Sequence, residues 1–227
     1  MINVEFTDEF RALAPDYRML QLEADVTGGS TPEALTGEID RFAASMRQVM
    51  EIADINKRPG IAATRAAYKR FGKDPNRYRP SQEQMSRRII KELGLYVVNN
   101  LADAGNLLSL KCGCSLGVFD RDKIAGDTIT LGRGLHDEPY TGIGRGDLNI
   151  ENLPVIRDAA GGIGTPTSDN ERTAVDTSTR RILLTVNIYG DADMSDADID
   201  AEARRLLTDY CSASGITSRI VRASQSE

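Results

Sequence analysis

A length of 227 residues suits one large domain or two small ones, and 40% apolar with 27% charged residues is ordinary for a soluble globular chain. No apolar run approaches the roughly 18 residues that cross a bilayer, and the N-terminus lacks the basic-then-apolar plan of a signal peptide, so we expect a cytoplasmic protein. Because His136 is the only histidine and the three cysteines lack zinc-type spacing, we expect reduced thiols, no metal site and no cofactor.

The net charge of −6 hides a strong asymmetry along the chain. Between Lys57 and Lys91 there are eleven Lys and Arg but two acidic residues, a net +9, whereas the remaining chain has 17 basic and 32 acidic side chains. A basic block within an acidic protein predicts an anionic partner such as RNA. Tyr68, Phe71 and Tyr78 lie in this block as candidates to stack on unpaired bases. The alternative is that the basic helices pair with acidic neighbours of the same fold.

Alternating apolar residues predict two strands in the N-terminal part of the chain. Apolar side chains alternate with polar ones at residues 2–6 and again at 20–26, and we expect both strands in one sheet. The Gly-Gly-Ser-Thr-Pro run at 28–32 ends the second strand and begins a helix, capped by Ser30 or Thr31. Spacings of three and four between the apolar residues of this helix predict a buried stripe.

Three more helices and a short strand are predicted in the middle of the chain. A helix at 59–70 leads into a loop at 72–80 that a glycine and two prolines keep non-helical. Ser81 begins the next helix, and a glutamine three residues later completes a capping box. The basic side chains of these two helices and their loop predict one continuous positive surface. A strand at 95–98 precedes the last of the three helices, at 99–111.

From residue 116 onward, short strands separated by turn residues predict the β half of the protein. Ser195 caps a final helix, after which a closing strand at 218–223 ends the fold. Because the sequence contains no linker, repeat or low-complexity tract, the chain is expected to form one domain. The other predicted strands of this half lie at 116–119, 128–131, 154–158 and 180–189.

A polar, glycine-led segment at residues 161–173 lies between the strands at 154–158 and 180–189. Its glycines permit backbone conformations closed to other residues, and hydroxyl, amide, carboxylate and guanidinium groups follow one another within it. This density predicts a site for a small polar ligand, and a solvated surface turn is the alternative. The glycine run at 142–146 lacks the spacing of a dinucleotide loop, and the acidic run at 191–202 lacks the glycine of a calcium loop.

An ordered set of motifs extends over most of the chain. The motifs are YKRFGKDPNRYRPS at 68–81, NNLAD at 99–103 with Asn106, FDRDKI at 119–124, GIGRG at 142–146, and GTPTSD followed by ERT at 164–173. Together they resemble the B3/B4 domain of the phenylalanyl-tRNA synthetase beta subunit, in a free-standing form. The resemblance implies a single domain over residues 1–227, with an α+β fold of packed β layers (β-sandwich-like) covered by helices. Its recognisable core covers about 68–210, and residues 1–55 are an N-terminal strand-helix elaboration.

The resemblance also implies a function in translation. In the synthetase this domain is associated with editing, the hydrolysis of tRNA that carries tyrosine where phenylalanine belongs. Such ester hydrolysis needs an oriented water and donors for the developing oxyanion, and it requires no metal. Glu171 is the candidate catalytic group. The candidates to bind the aminoacyl end are Asn106, Thr165, Thr167 and Ser168, and the candidates to bind tRNA phosphates are Lys69, Arg70, Lys73, Arg77, Arg79, Arg87 and Arg88.

One departure from the family pattern keeps a second function open. Just before the Phe-Asp pair the bacterial synthetases carry a histidine associated with the editing pocket, and this chain has Gly117 there. A non-catalytic module that binds tRNA or an amino acid is therefore the alternative to an aminoacyl-tRNA deacylase, and a small-molecule hydrolase is a third possibility. Aminoacylation itself is not expected. The expected partner is tRNA or aminoacyl-tRNA, with no DNA and no membrane, and the oligomeric state is not predicted.

Overall fold

Two four-stranded sheets form the centre of the fold in residues 1–224, the part of the chain that the computed structural model describes. In chain order the strands of this part are β1 (Asn3–Phe6), β2 (Arg18–Asp25), β3 (Ser115–Asp120), β4 (Thr128–Arg133), β5 (Thr141–Gly142), β6 (Gly146–Asp147), β7 (Pro154–Asp158), β8 (Gly161–Gly164), β9 (Arg181–Ile188) and β10 (Ser214–Arg222). The first sheet has the order β1-β4-β7-β8 and the second β10-β2-β9-β3, while β5 and β6 pair in a separate hairpin.

Helices cover the second sheet and flank the sandwich. In chain order they are α1 (Asp8–Leu13), α2 (Glu33–Val49), α3 (Pro59–Phe71), α4 (Ser81–Ile90), α5 (Asn100–Cys112) and α6 (Asp196–Cys211). The side chain of Asn99 accepts the Ala102 N–H at the start of α5, and Ser195 accepts the Asp198 N–H at the start of α6, which satisfies amides that a helix leaves unpaired. Within residues 1–224, none of the helices has the length and apolar character needed to cross a membrane.

The pleat of β9 divides the core into two layers. Ile182, Leu184 and Val186 pack with residues of α5 and α6, whereas Leu183 packs among side chains of the first sheet such as Ile156. Successive residues of a strand point to opposite faces, so one strand contributes to both layers. The two sheets therefore pack face to face under a helical layer, which confirms the predicted α+β fold with packed β layers.

Most predicted elements are present, and three predictions about strands are wrong. The strands β1 and β2 belong to different sheets, because β1 pairs in parallel with β4 while β2 lies between β10 and β9. Residues 95–98 form no strand. The first four residues of the polar segment, expected to be loop, form β8 at the edge of the first sheet.

Two predicted helix caps are also wrong, because tertiary partners bind the capping side chains. The hydroxyl of Thr31 donates to the Asp103 carboxylate at 2.5 Å, and Pro32 occupies the cap position of α2 without a side-chain bond. Pro80 occupies the cap position of α4, and the Gln84 side chain accepts a hydrogen bond from Arg145 at 2.7 Å instead of closing a capping box. The three cysteines are free thiols in the core, as expected.

Candidate functional site

The turn at residues 165–168 binds its own backbone. The Thr165 hydroxyl is buried, accepts the N–H groups of Thr167 (3.2 Å) and Ser168 (3.1 Å), and donates to the Ser168 carbonyl at 3.0 Å. The Ser168 hydroxyl donates to the carbonyl of Asp169 at 3.2 Å. Two of the hydroxyls expected to bind a ligand are therefore engaged within the turn itself.

The same turn connects to two helices. The buried hydroxyls of Thr167 and Tyr68 are 2.8 Å apart, which attaches the turn to α3. The Ser81 N–H donates to the Pro166 carbonyl at 2.8 Å, which attaches the turn to the first residue of α4. The turn therefore fixes the positions of the helices that carry the basic block.

The two other predicted site residues, Asn106 and Glu171, form no hydrogen bond with this turn in the described part of the chain. Asn106 lies half-buried on α5, where its side chain hydrogen-bonds the Asp103 carboxyl. Within residues 1–224 no hydrogen bond joins Asn106 to the segment at 161–173. Glu171 is exposed in a short 3₁₀ turn, Glu171–Thr173.

The ring of Phe119 fills the space beside Gly117. Phe119 is fully buried, and a Cβ atom added to Gly117 would lie 2.4 Å from its Cζ atom, while one added to Gly164 would lie 2.7 Å from it. Any side chain at position 117 thus requires this ring to move. The cavity beside Gly164 and Thr165 measures about 10 Å³, room for about one water.

Asp169 holds a carboxyl group in this enclosed region. The residue is half-buried, but its carboxyl points inward, with Oδ1 beside Gly164 and Oδ2 accepting the Val118 N–H at 3.4 Å. Burial raises the pKa of the Asp169 carboxyl to about 8, because one long hydrogen bond does not offset the cost of removing a charge from water. The group is therefore protonated in the folded protein near neutral pH.

A positively charged groove lies where α4, the preceding loop and the β5–β6 hairpin meet. We call it the basic groove, and it encloses about 480 Å³. Six cationic side chains line it, and within the described residues no carboxylate does. Thr167 of the polar turn also lines it, so the turn forms one part of its wall. The lining consists of Arg77, Tyr78, Arg79, Gln84, Arg87, Arg88, Lys91, Leu93, Arg145, Leu148 and Thr167.

The carboxylate of Glu83 lies buried on α4 and pairs with arginines at and beside the basic groove. It accepts from Arg65 at 2.7 Å and from Arg87 at 3.0 Å, and Arg79 lies 3.7 Å away. The remaining groove cations make no ion pair within residues 1–224; they are Arg77, Arg88, Lys91 and Arg145. The groove therefore carries a surplus of positive charge after its internal pairing.

The structure brings together four of the seven predicted phosphate-binding residues, and these are Arg77, Arg79, Arg87 and Arg88. Lys69 and Arg70 are exposed on α3 but do not line the groove. Lys73 is buried, with its amine 3.8 Å from the centre of the Tyr78 ring and donating to the Asn149 carbonyl at 3.1 Å. Burial lowers the pKa of the Lys73 amine.

Two groove cations are not among the predicted phosphate-binding residues, although one of them, Lys91, belongs to the predicted positive surface. Lys91 directly follows α4, whose exposed face it continues. Arg145 lies at the tip of the β5–β6 hairpin between Gly144 and Gly146, both of which have positive φ. The glycine run at 142–146 signalled a tight turn, and a cation exposed at its tip was the available clue.

The exposed aromatic residue of this region is not one of those predicted. Tyr68 and Phe71 are fully buried, and Tyr78 is half-buried beneath the Lys73 amine, so the prediction that these rings stack on bases is wrong for the first two and unsupported for the third. Tyr96 is 72% exposed, and the Arg88 guanidinium lies 4.2 Å from the centre of its ring.

Comparisons with known proteins identify the family. No curated protein sequence matches this chain. A solved N-terminal fragment of the phenylalanyl-tRNA synthetase beta subunit from Pyrococcus horikoshii is similar over 96% of this chain, with 12% identity and a TM-score of 0.42. The chain spans about half of that fragment, 50% of its length. The model of the B3/4 domain matches residues 63–207, more than half of the chain, and the chain therefore belongs to the B3/4 domain family.

Proposed function

We propose that this protein binds tRNA through the basic groove. The observation that carries the proposal is a groove lined by six cations and, within residues 1–224, by no carboxylate. The phosphates of RNA are anions that such a surface attracts, whereas the rest of the chain carries a net negative charge. Membership of the B3/4 family and the motif resemblance to the synthetase favour tRNA among RNAs.

Four groove cations have no carboxylate partner in the described chain, and this supports a binding role over a purely structural one. If the basic block only neutralised acidic neighbours, each cation would have a carboxylate partner, as Arg65 has in Glu83. Arg77, Arg88, Lys91 and Arg145 have none in the described chain, and they face one groove from three different segments. Like charges placed this close repel one another weakly in water, and a bound anion would relieve that repulsion.

Hydrolysis of mischarged tRNA is the second candidate function, and one group favours it. The Asp169 carboxyl is protonated near neutral pH, so it could donate a proton to a leaving group. Against hydrolysis, the Phe119 ring fills the space beside Gly117, and the hydroxyls of Thr165 and Thr167 already have partners. Binding without hydrolysis is therefore our first proposal, and assays of tRNAs carrying correct and incorrect amino acids would reveal any deacylation.

Neutralising three unpaired cations of the groove tests the binding proposal. We expect the triple variant to bind tRNA at least 10-fold more weakly at about 0.1 M salt, because each lost phosphate contact removes a counterion-release contribution. The dependence of log Kd on log salt should also become shallower, by about 2 to 3. Fluorescence anisotropy with labelled tRNA at several salt concentrations measures both. The substitutions are Arg77→Gln, Lys91→Gln and Arg145→Gln.

A matched variant separates the groove from general surface charge. Neutralising three exposed arginines that do not line the groove removes the same net charge, and we expect tRNA affinity to change less than 3-fold, on the order of a screened surface contribution. Equal losses in the two triple variants would contradict a groove-specific interaction. The control substitutions are Arg41→Gln, Arg47→Gln and Arg180→Gln.

A further inference from the structure

An exposed apolar segment borders the basic groove at residues 93–98. Its large side chains are open to solvent, with Leu93 at 60%, Tyr96 at 72%, Val97 at 67% and Val98 at 59% exposure. Soluble proteins rarely leave so many apolar side chains together on the surface unless the patch binds something. Leu93 also lines the groove, so the segment and the groove are continuous.

Arg88 holds this segment against the groove. Its Nη2 donates to the Leu93 carbonyl at 3.2 Å and its Nε to the Gly94 carbonyl at 3.0 Å. Its Nη1 donates to the Tyr96 hydroxyl at 3.3 Å. At the far end, the Val98 N–H donates to the Asp103 carboxylate at 3.1 Å. The backbone is thus fixed at both ends while the apolar side chains remain outside.

The ring of Tyr96 combines two properties that suit a nucleobase. The Arg88 guanidinium lies 4.2 Å from the ring centre, and the ring still exposes most of its surface. Bases stack on aromatic rings and on guanidinium planes, and the phosphates next to a stacked base need cations within reach. Arg88 and Lys91 of the groove supply those cations. A base in a duplex has its faces covered by neighbouring pairs, so an unpaired base suits this arrangement best.

We propose that the apolar segment is a base-stacking platform, and that it makes the basic groove selective for single-stranded RNA. An unpaired base stacks on Tyr96 while the adjoining phosphates lie in the groove. This inference rests on the proposed function and specifies which part of an RNA the groove accepts. The cations beside the segment favour RNA over an apolar protein partner, which would leave them unpaired.

Two strands of equal charge test the proposal. One is an oligouridylate of about 12 nucleotides, and the other is a sugar-phosphate strand of the same length without bases. We expect the protein to bind the oligouridylate about 10-fold more tightly, because the bases add stacking to the shared phosphate contacts. Tyr96→Ala should remove this preference and leave binding of the abasic strand unchanged. Tyr96→Phe should keep the preference, because it keeps the ring.

The possible results separate this inference from the proposed function. If neither strand binds even at low salt while tRNA binds, the platform is refuted and the proposed function stands; if tRNA does not bind either, both fail. If both strands bind equally to the unsubstituted protein, the groove stands and the platform is refuted. If Tyr96→Ala keeps the preference for bases, the platform is refuted as well, and the segment would then be a surface for a protein. Circular dichroism of each variant checks that it is folded.

A single tryptophan gives a direct signal for stacking. The chain contains no tryptophan, so Tyr96→Trp introduces a unique fluorophore at the proposed platform. We expect the oligouridylate to quench its emission and the abasic strand not to, since quenching requires a base on the ring. Leu135→Trp, at a 63% exposed position outside the groove lining, is the control and should respond to neither strand. Equal quenching at both positions would overturn the assignment.

Discussion

At the residue scale, the Phe119 ring determines how much space is open beside Gly117. A Cβ atom added to Gly117 would lie 2.4 Å from the tip of the Phe119 ring, which occupies the space beside this glycine. The ring tip lies between Gly117 and Gly164, a position that requires both glycines. The Phe119 ring thus fills the space that a side chain at position 117 or 164 would need.

The Asp169 carboxyl predicts a pH dependence of stability. Its pKa is about 8 in the folded protein and about 4 when unfolded, so between these values the unfolded chain releases a proton that the folded chain keeps. The stabilisation that this group provides is complete below about pH 4 and decreases as the pH rises to about 8. Asp169→Asn cannot ionise and escapes this loss. We expect the variant to gain stability relative to the unsubstituted protein between pH 5 and pH 8, measured by urea unfolding.

A stability difference that does not change with pH would contradict this prediction. If the stability difference between Asp169→Asn and the unsubstituted protein stays constant over this range, the carboxyl is not protonated when folded. It would then lack the proton that the second candidate function requires.

At the scale of elements, α4 has two faces with different electrostatic roles. Its inner face buries the charged Glu83 with the polar Gln82 and Ser86, and its outer face presents Arg88 to the groove. Arg87 is intermediate, because its guanidinium reaches back to Glu83. One buried carboxylate thus fixes arginines from α3, the loop at 72–80 and α4 itself, and it shapes the groove without lining it.

Replacement of Glu83 should destabilise the protein through this junction. Glu83→Gln keeps the size of the side chain but removes the charge that Arg65 and Arg87 approach, and a broken buried pair costs about 3 kcal/mol. We expect the free energy of unfolding, measured by urea titration, to fall by about that amount, and the urea midpoint to fall with it. Glu92→Gln, an exposed neighbour just after α4, is the control and should change stability by less than about 0.5 kcal/mol. A neutral effect of Glu83→Gln would mean that the ion pairs of Glu83 contribute no net stability, because the cost of burying the carboxylate offsets its attraction to the arginines.

At the scale of the whole molecule, the N-terminal residues belong to both sheets. The strand β1 is the edge of the first sheet, and β2 lies inside the second, hydrogen-bonded to β9 and β10 along its length. The side chains of Met19, Leu20 and Leu22 are buried. Residues 1–55 are therefore structural partners of the recognisable core, and a single domain over residues 1–227 remains our prediction.

A truncated chain tests this prediction. A protein cut to residues 63–207, the range that matches the family model, lacks β1, β2 and β10. We expect it to show no cooperative unfolding transition, because β9 would lose a paired neighbour and expose the apolar residues that β2 covers. The full chain should unfold in one transition, with the same midpoint by far-UV and near-UV circular dichroism. A cooperative transition of the truncated chain would show that both removed parts, residues 1–62 and 208–227, are accessory to the core.

The sequence alone determined most of the elements, the basic block and the family. The periodicity of β9 and the caps of α5 and α6 are local, because they depend on residues a few positions apart. The tertiary structure alone decided which cations are available and which surfaces are exposed. Lys73 is buried, Arg145 joins the groove from a distant hairpin, and Tyr96 remains open on a segment that was expected to be a strand. These outcomes depend on contacts between elements far apart in the chain, which a local pattern does not encode.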